Sequence, residues 1–330
     1  MDKFRVYRLR EADRKVVAGF EQVSIDELDA GEVVIRVAYS CVNYKDALAA
    51  TGTGRIIRRF PCVGGIDLSG TVIESTDARF AKGDAVIATS YDIGVAHDGG
   101  YGEYARIKAD WVVPMPKGMT LFEAMALGTA GFTAGLAVAR MEHEGLRPGG
   151  GPVAVTGATG GVGSIAVDIL AGLGHHVVAV TGKERETEYL KGIGAKEVLL
   201  RSGIDLAKIK PLDKAMWAGA VDNLGGDMLA WLAATMQIGA PLAAVGLAAS
   251  MELKTTVAPF ILRGVSLLGV DSVNCPMPQR RKVWERLATD MRPRHLKQLA
   301  RTIPFDDLPK AFDDFIQSKV RGRVVVDMAA

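Results

Sequence analysis

The sequence has few cysteines, few aromatic residues and almost no net charge. Its 330 residues include three cysteines and 6% aromatic side chains, and 40 basic residues balance 38 acidic ones to leave a formal charge of +2. Three cysteines with no metal-type pair exclude a disulfide scaffold and favour a reducing compartment. The charge balance argues against a nucleic-acid-binding protein. We therefore expect a cytoplasmic protein whose partner is a small molecule and not a nucleic acid.

Long apolar segments are also scarce. The N-terminal sequence carries charges and lacks the apolar core of a signal peptide. Residues 228–251 form a long uncharged run, but glutamine, glycine and proline interrupt it and large apolar side chains are few. A membrane helix needs about 20 predominantly apolar residues. This run is therefore predicted to be a buried helix, a turn and a buried strand, and no membrane association is expected.

The order of sequence patterns predicts two domains of the α/β class. Residues 1–125 are rich in short strands and turns, as at 32–42 and 67–75, which is typical of a small β-barrel domain. From 126 to 294, short apolar strands alternate with helices, which indicates a doubly wound parallel sheet. The tail, from about 295 to 330, returns to mixed character and ends in a strand.

Glycine is the residue present in excess. It makes up 38 of the 330 residues, or about one in nine, against an average of about 7%. One group follows an apolar strand at 153–156 and opens a helix, where main-chain amides can approach a pyrophosphate at the positive helix end. We predict a dinucleotide turn whose cofactor-binding residues are Thr159, Gly160, Gly161, Val162 and Gly163. Gly128 and Gly131 interrupt an earlier predicted helix.

The end of the next strand predicts which dinucleotide binds. An NAD enzyme places an acidic residue there to accept a hydrogen bond from the ribose 2′-hydroxyl, whereas this chain has Thr181 followed by Gly182 and Lys183. A hydroxyl, a turn amide and cations suit a 2′-phosphate, so NADPH is predicted. Glu184 and Glu186 weaken the prediction of NADPH, because either carboxylate could point into the site where the 2′-phosphate would bind. Further cofactor ligands are predicted at Arg185 and Arg201 and, at the nicotinamide end, Leu247 and Ser272.

The β domain, the glycine turn, the turn at 181–183 and the C-terminal return follow one another along the chain. This order resembles that of the medium-chain dehydrogenase/reductase superfamily, and specifically its zinc-free branch, which is similar to quinone oxidoreductases. Within it, residues 42–46, 61–72, 98–107, 129–138 and 260–273 are similar to the acrylyl-CoA reductase (NADPH) family. The resemblance implies a GroES-like first domain completed by the C-terminal segment, and a Rossmann second domain. It also implies reduction of acryloyl-CoA to propanoyl-CoA by a homodimer that pairs through the strand near 265–273.

The zinc ligands of alcohol dehydrogenases are replaced in this chain. Asn43 stands where the zinc pattern has cysteine, Ile66 stands for the histidine of its Gly-His-Glu segment, and Asp67 stands for the glutamate. Three cysteines cannot form a four-cysteine zinc lobe. Neither catalytic nor structural zinc is expected, and Cys41 is predicted to be a small buried side chain.

The reduction of an activated double bond requires particular catalytic groups. Charge that develops on the thioester oxygen needs hydrogen-bond donors, and the α-carbon needs a proton. Asn43 and Tyr44 follow the first long strand and are the predicted catalytic residues, with Tyr44 beside the nicotinamide. Tyr44 or solvent donates the α-proton, and Asn43 holds either the nicotinamide ribose or its own loop. Asp46 and Asp67 are expected to cap a helix or support this loop.

Two basic clusters are candidates for binding the phosphates of CoA. One contains Arg55, Arg58 and Arg59, and the other contains Arg280, Arg281 and Lys282. The alternative for each cluster is a solvated face. The alternative function is an NADPH:quinone oxidoreductase or a 2-alkenal/enone reductase, which would share every cofactor feature. A non-catalytic NADPH sensor is a third hypothesis, which the Asn43–Tyr44 loop disfavours.

Overall fold

The computed structural model describes residues 3–329 and divides them into two compact units. Unit 1 comprises residues 3–129, 273–285 and 299–329, and unit 2 comprises residues 130–272 and 286–298. The segment 273–285 lies within the predicted second domain but clusters with unit 1.

The strands are β1 (Phe4–Ala12), β2 (Lys15–Val23), β3 (Val33–Val42), β4 (Cys62–Val63), β5 (Asp67–Ser75), β6 (Ala85–Thr89), β7 (Tyr104–Ile107), β8 (Val112–Pro114), β9 (Pro152–Thr156), β10 (His176–Thr181), β11 (Glu197–Leu200), β12 (Gly219–Asp222), β13 (Pro241–Ala244), β14 (Ser266–Gly269), β15 (Ala300–Pro304) and β16 (Arg323–Asp327). The α-helices are α1 (Tyr44–Thr51), α2 (Leu121–His143), α3 (Gly161–Gly172), α4 (Thr187–Gly192), α5 (Gly226–Thr235), α6 (Ala258–Arg263), α7 (Met277–Ala288), α8 (Leu296–Leu299) and α9 (Leu308–Ile316).

Unit 1 is built from two β-sheets and the helices that cover them. The larger has the order β15-β16-β3-β5-β6-β8, with β7 also paired to β3, and the smaller has the order β2-β1-β4. The C-terminal strand β16 pairs antiparallel with β3, which brings Arg323 beside the start of α1. In α9, Leu308, Ala311 and Phe312 are buried. Their three- and four-residue spacing turns one face of the helix towards the unit 1 core.

Unit 2 contains a parallel sheet of order β11-β10-β9-β12-β13-β14. Counted from β9, this is the order 3-2-1-4-5-6 of doubly wound dinucleotide-binding folds. Its central strands are largely apolar and buried, as at Val153, Ala154 and Val155 of β9, because helices cover both faces of such a sheet. The predicted α/β class and doubly wound sheet are confirmed.

Two long apolar stretches of the described chain are core elements. Residues 228–251 contain most of α5, a turn at Gly239 with φ of +70°, and strand β13, as predicted. Helix α2 is long and apolar enough to cross a membrane, but 78% of its most apolar window is buried in the protein. A backbone kink at Gly128 interrupts it, so that the predicted interruption is confirmed at this glycine.

Candidate active site

The glycine turn of unit 2 joins β9 to α3. Gly157 has φ of +57°, and its carbonyl accepts a hydrogen bond from the amide of Gly160, the residue that precedes α3. A side chain on Gly163 would bring a Cβ to within 2.3 Å of the same carbonyl oxygen, so only glycine allows this close approach. The amides of residues 161–163 begin the helix and have no acceptor within it. They form a helix start that suits a pyrophosphate.

An arginine side chain lies beside the turn at the end of β10. Thr181 is buried, and its hydroxyl accepts a hydrogen bond of 3.0 Å from the amide of Lys183. Thr181 pairs in register with Leu200 of β11, which makes Gly182 and Arg201 neighbours. The Arg201 guanidinium accordingly lies 3.6–3.7 Å from the point where a Cβ of Gly182 would be. The turn and Arg201 are therefore together, as a 2′-phosphate site requires.

The remaining predicted cofactor ligands differ in exposure. Arg185 is 76% exposed, and its Nε lies 3.6 Å from a carboxylate oxygen of Glu186. Leu247 is exposed and Ser272 is buried. They follow β13 and β14, and parallel strands end at one edge of a sheet. Both residues thus follow strands that end at the same edge as the glycine turn.

Three residues at this edge were not singled out by the sequence pattern. Thr156 ends β9, and Asp222 and Asn223 end and follow β12. The Thr156 hydroxyl donates to Asp222 Oδ1 over 2.6 Å, and the Asn223 side-chain amide donates to the Thr156 carbonyl over 2.7 Å. Burial raises the pKa of Asp222. The only sequence signal was a polar pair at the end of an apolar strand.

In unit 1, Asn43 holds the start of α1. Its side-chain Nδ2 donates to Asp46 Oδ2 over 3.0 Å and to Asp67 Oδ2 over 2.8 Å, and its Oδ1 accepts from Arg323 Nη1 over 3.0 Å. Both amide hydrogens are thus used inside the protein. Tyr44 begins the helix and is 52% exposed. This geometry favours a role for Asn43 in fixing the conformation of the loop. It leaves the side chain of Tyr44, which follows Asn43, accessible to a ligand.

Arg323 is a buried cation that sequence reasoning missed. Besides Asn43, its guanidinium contacts Cys41 Sγ at 2.9 Å and the carbonyl of Ala126 at 3.2 Å. The Cys41 thiol in turn donates to Asp67 over 3.1 Å. The only sequence signal was an arginine at the head of an apolar terminal strand. Its role depends on residues about 200 to 280 positions away, which no local pattern encodes.

The kink of α2 completes this network. Gly128 has φ of +52°, and the next residue, Thr129, donates its amide to Asp67 over 2.9 Å. A Cβ on Gly128 would lie 2.7–2.8 Å from Arg323, Cys41 and Asp67. Glycine is therefore required here for both its backbone conformation and its small size.

The titratable groups of this network are shifted by burial. Burial, together with the neighbouring Asp67, raises the pKa of Asp46 to about 7. Burial raises the pKa of the Cys41 thiol well above its ordinary value. Cys41 is therefore a neutral side chain in the core, in line with its predicted role.

The residues at the zinc positions do not fit zinc. Asn43 donates to both carboxylates, Ile66 has no ligand atom, and the Cys41 sulfur contacts the guanidinium of Arg323. Within residues 3–329, no group of three or more His, Cys, Asp or Glu side chains is placed to hold a metal ion. A tetrahedral zinc site needs such a set of ligands, and the residues at these positions do not supply it.

One residue of each basic cluster contacts the turn at residues 91–92 of unit 1. Arg58 forms an ion pair with Asp92, and Arg59 forms one with Asp29. Arg280 contacts the neighbouring Tyr91, with its guanidinium carbon 4.4 Å from the ring centre. Arg280 is also fully buried and donates to Thr89, which corrects both interpretations of it, as a phosphate ligand and as part of a solvated face. Arg55 is exposed and Arg281 is half-buried.

Comparison with known families and proteins agrees with this architecture. The profile described as "Alcohol dehydrogenase GroES-like domain" matches residues 29–117, and that described as "Zinc-binding dehydrogenase" matches residues 161–289. The putative quinone oxidoreductase YhfP of Bacillus subtilis is 50% identical over 93% of each chain. Acrylyl-CoA reductase AcuI of Ruegeria pomeroyi is 48% identical over 97% of each chain.

Solved structures show the same fold. The yhdH oxidoreductase of Salmonella enterica in complex with NADP is 46% identical, with a TM-score of 0.95 over 98% of this chain and 99% of its own. Bacillus subtilis yhfP with NAD bound is 47% identical, with a TM-score of 0.97 over 99% of this chain and all of its own. The chain therefore belongs to the medium-chain dehydrogenase/reductase oxidoreductases, in the branch that contains AcuI and YhfP.

Proposed function

We propose that this oxidoreductase reduces the carbon–carbon double bond of acryloyl-CoA to give propanoyl-CoA, with NADPH as the reductant. The observation that carries the proposal is the turn after β10, where Arg201 lies against Gly182 and a threonine stands at the acidic position of NAD enzymes. The relative named acrylyl-CoA reductase supports the substrate. The relative solved in complex with NADP supports the choice of NADPH as cofactor. Because another relative was solved with NAD bound, NADH is the cofactor against which NADPH should be compared.

NADPH, when bound, supplies a hydride to the β-carbon of the substrate. Negative charge then develops on the thioester oxygen as an enolate, and the α-carbon takes a proton. A well-placed donor to that oxygen stabilises the transition state by about 3–4 kcal/mol. We assign Tyr44 to contact with cofactor or substrate, and either its hydroxyl or solvent donates the α-proton. Asn43 positions Tyr44, because both amide hydrogens of Asn43 are already bound.

The acyl-CoA phosphates are assigned to Arg55, Arg58 and Arg281. Arg55 is exposed, Arg58 is bound to Asp92 at the surface, and Arg281 follows the buried Arg280 on α7. Bidentate guanidinium groups bind phosphate strongly. Substitution of Arg55 by leucine is expected to raise KM for the CoA thioester and to leave KM for NADPH unchanged.

A second copy of the chain is the proposed partner of unit 2. Strand β14 is the last strand of its sheet. The chain from residue 247 to residue 267, which leads into β14, carries the exposed apolar side chains Leu247, Met251, Leu253, Val257, Ile261, Leu262 and Leu267. An open strand edge with an apolar surface favours pairing between identical chains. Sedimentation should give a dimer, and Leu267→Lys should shift it towards the monomer. The cytoplasmic location stays a prediction.

Steady-state kinetics separate this function from its alternative, a quinone or 2-alkenal reductase, which the similarity to YhfP favours. The oxidation of NADPH is measured with acryloyl-CoA, with a quinone and with a free 2-alkenal, and each assay is repeated with NADH. The highest kcat/KM is expected for NADPH with acryloyl-CoA. Faster turnover of the quinone or alkenal would support the alternative, and no turnover of any short enoyl-CoA would exclude the proposal.

A further inference from the structure

The hydrogen bonds around Asp222 have a fixed direction. Its carboxylate accepts from the Thr156 hydroxyl over 2.6 Å and from the amide of Gly225 over 2.7 Å. The Thr156 hydroxyl has then used its hydrogen, and it accepts from the amide of Asn223 over 2.9 Å. All of these groups lie at the carboxyl ends of β9 and β12.

The same network fixes the orientation of the Asn223 side chain. The carbonyl of Thr156 can only accept, so the side-chain atom 2.7 Å away must be the Nδ2 of Asn223. The Oδ1 of Asn223 is left as an acceptor, and within residues 3–329 no group donates to it. Asn223 is half-buried. A rigid acceptor is therefore presented at the ligand-binding edge of the sheet.

Glycine on both sides leaves room for Asn223. A Cβ on Gly157 would lie 3.2 Å from the Asn223 Cβ, and one on Gly246 would lie 2.5 Å from its carbonyl oxygen. Gly157 begins the dinucleotide turn, and Gly246 follows β13. Asn223 thus lies between two turns that the dinucleotide fold uses for its ligand.

We propose that Asn223 is a cofactor-binding residue whose Oδ1 accepts a hydrogen bond from the nicotinamide half of NADPH, and that Asp222 and Thr156 position it. This assignment rests on the proposed use of NADPH. The 2′-phosphate turn follows β10, on one side of β9, and Asn223 follows β12, on the other side. A dinucleotide lies across this reversal of strand order with its pyrophosphate at the first turn, so Asn223 lies on the nicotinamide side. The donor is a ribose hydroxyl or the carboxamide.

Two ligands test which half of the cofactor Asn223 contacts. NADPH contains the nicotinamide half, whereas adenosine 2′,5′-bisphosphate contains the adenine and the 2′-phosphate without it. Asn223→Ala is expected to raise Kd for NADPH about tenfold, the cost of one hydrogen bond to a fixed partner, and to leave Kd for the bisphosphate unchanged. A merely structural role would weaken both ligands equally.

Isosteric variants test the positioning role. Thr156→Val keeps the shape and removes the hydroxyl, so Kd for NADPH should rise severalfold, and Thr156→Ser should restore it. Thr235→Val is the matched control, because the Thr235 hydroxyl is bound to carbonyls of its own helix. A 3-acetylpyridine analogue of NADP distinguishes the two donors, since the Asn223→Ala effect persists for a ribose hydroxyl and vanishes for the carboxamide.

The outcomes separate this assignment from the proposed function. If the unaltered chain does not bind NADPH, the proposed function fails and this assignment fails with it. If the unaltered chain binds NADPH but Asn223→Ala binds it within twofold, or loses the bisphosphate by the same factor, the assignment alone is overturned.

Discussion

In unit 1 the buried carboxylates Asp46 and Asp67 share Asn43 with the guanidinium of Arg323, whereas in unit 2 the buried carboxylate of Asp222 is held by a hydroxyl and main-chain amides. The cations near the unit 2 site, Arg185 and Arg201, are exposed instead. A buried cation that lacks its partners destabilises the folded state, so the charge of Arg323 is used within the fold and contributes to its stability. Exposed cations keep their charge available to a ligand. We therefore expect substitution of the buried Arg323 to lower stability, and substitution of the exposed Arg185 or Arg201 to change cofactor affinity.

The largest expected effect is that of Arg323→Met on stability. The substitution removes the donors to Asn43, Cys41 and Ala126 and leaves buried carboxylates without the nearby cation. The free energy of unfolding in urea should fall by about 3–5 kcal/mol. Arg301→Met on the adjacent strand is the control, because Arg301 is half-exposed and its carboxylate partner Asp314 is 3.7 Å away. Equal effects of the two variants would contradict the account.

A second variant tests the space beside Arg323. Gly128→Ala places a Cβ within 2.8 Å of three polar atoms at a backbone φ of +52°, so the free energy of unfolding should fall by about 2–4 kcal/mol. Gly145→Ala is its match in unit 2, with φ of +93° and no atom within 4 Å. This control should lose only about 1 kcal/mol, from backbone strain. Similar losses in both variants would mean that the contacts at Gly128 are unimportant.

The pH dependence of stability tests the buried carboxylates. The pKa of Asp46 is raised to about 7 in the folded chain, against about 3.9 in the unfolded chain. Between these values the folded state holds the proton more tightly, so this group makes stability fall as pH rises, by up to ~1.4 kcal/mol per pH unit. Urea unfolding of Asp46→Asn should lack that slope. A variant with the same slope as the unaltered chain would assign it to another group.

The smallest free-energy effect is expected at the exposed cations of unit 2. Arg201→Leu removes the guanidinium beside Gly182, and KM for NADPH should rise about tenfold, or ~1.4 kcal/mol, with little change for NADH. Arg185→Leu should have a smaller effect, because Arg185 is exposed and faces Glu186. Neither variant should change the unfolding midpoint. A loss of stability in Arg201→Leu would break the contrast between the units.

Local sequence patterns were sufficient for the parallel sheet and its glycine turn. A strand, a glycine turn and a helix follow one another within about twenty residues, and the register of β10 with β11 explains why Arg201 could be proposed from its position after a strand. The uncharged run at 228–251 was also interpretable, since glycine and proline mark its turn. Each of these signals is local in the chain.

The parts that sequence could not supply depend on distant contacts. Arg323 meets Asn43 only because β16 pairs with β3, a pairing that no local pattern encodes. Arg280, Arg281 and Lys282 look alike in sequence, but the helix buries only the first of them fully. The hairpin of β1 and β2 was not predicted, because charged residues, including the buried Arg8, interrupt the alternation of apolar and polar residues that marks a strand.

The most direct test of the proposed function is the fate of the transferred hydride. The chain is incubated with acryloyl-CoA and NADPH that carries deuterium at the transferable position of the nicotinamide, and the product is examined by mass spectrometry and NMR. We expect propanoyl-CoA with one deuterium, on the β-carbon. Unchanged acryloyl-CoA, or deuterium on the α-carbon, would contradict it.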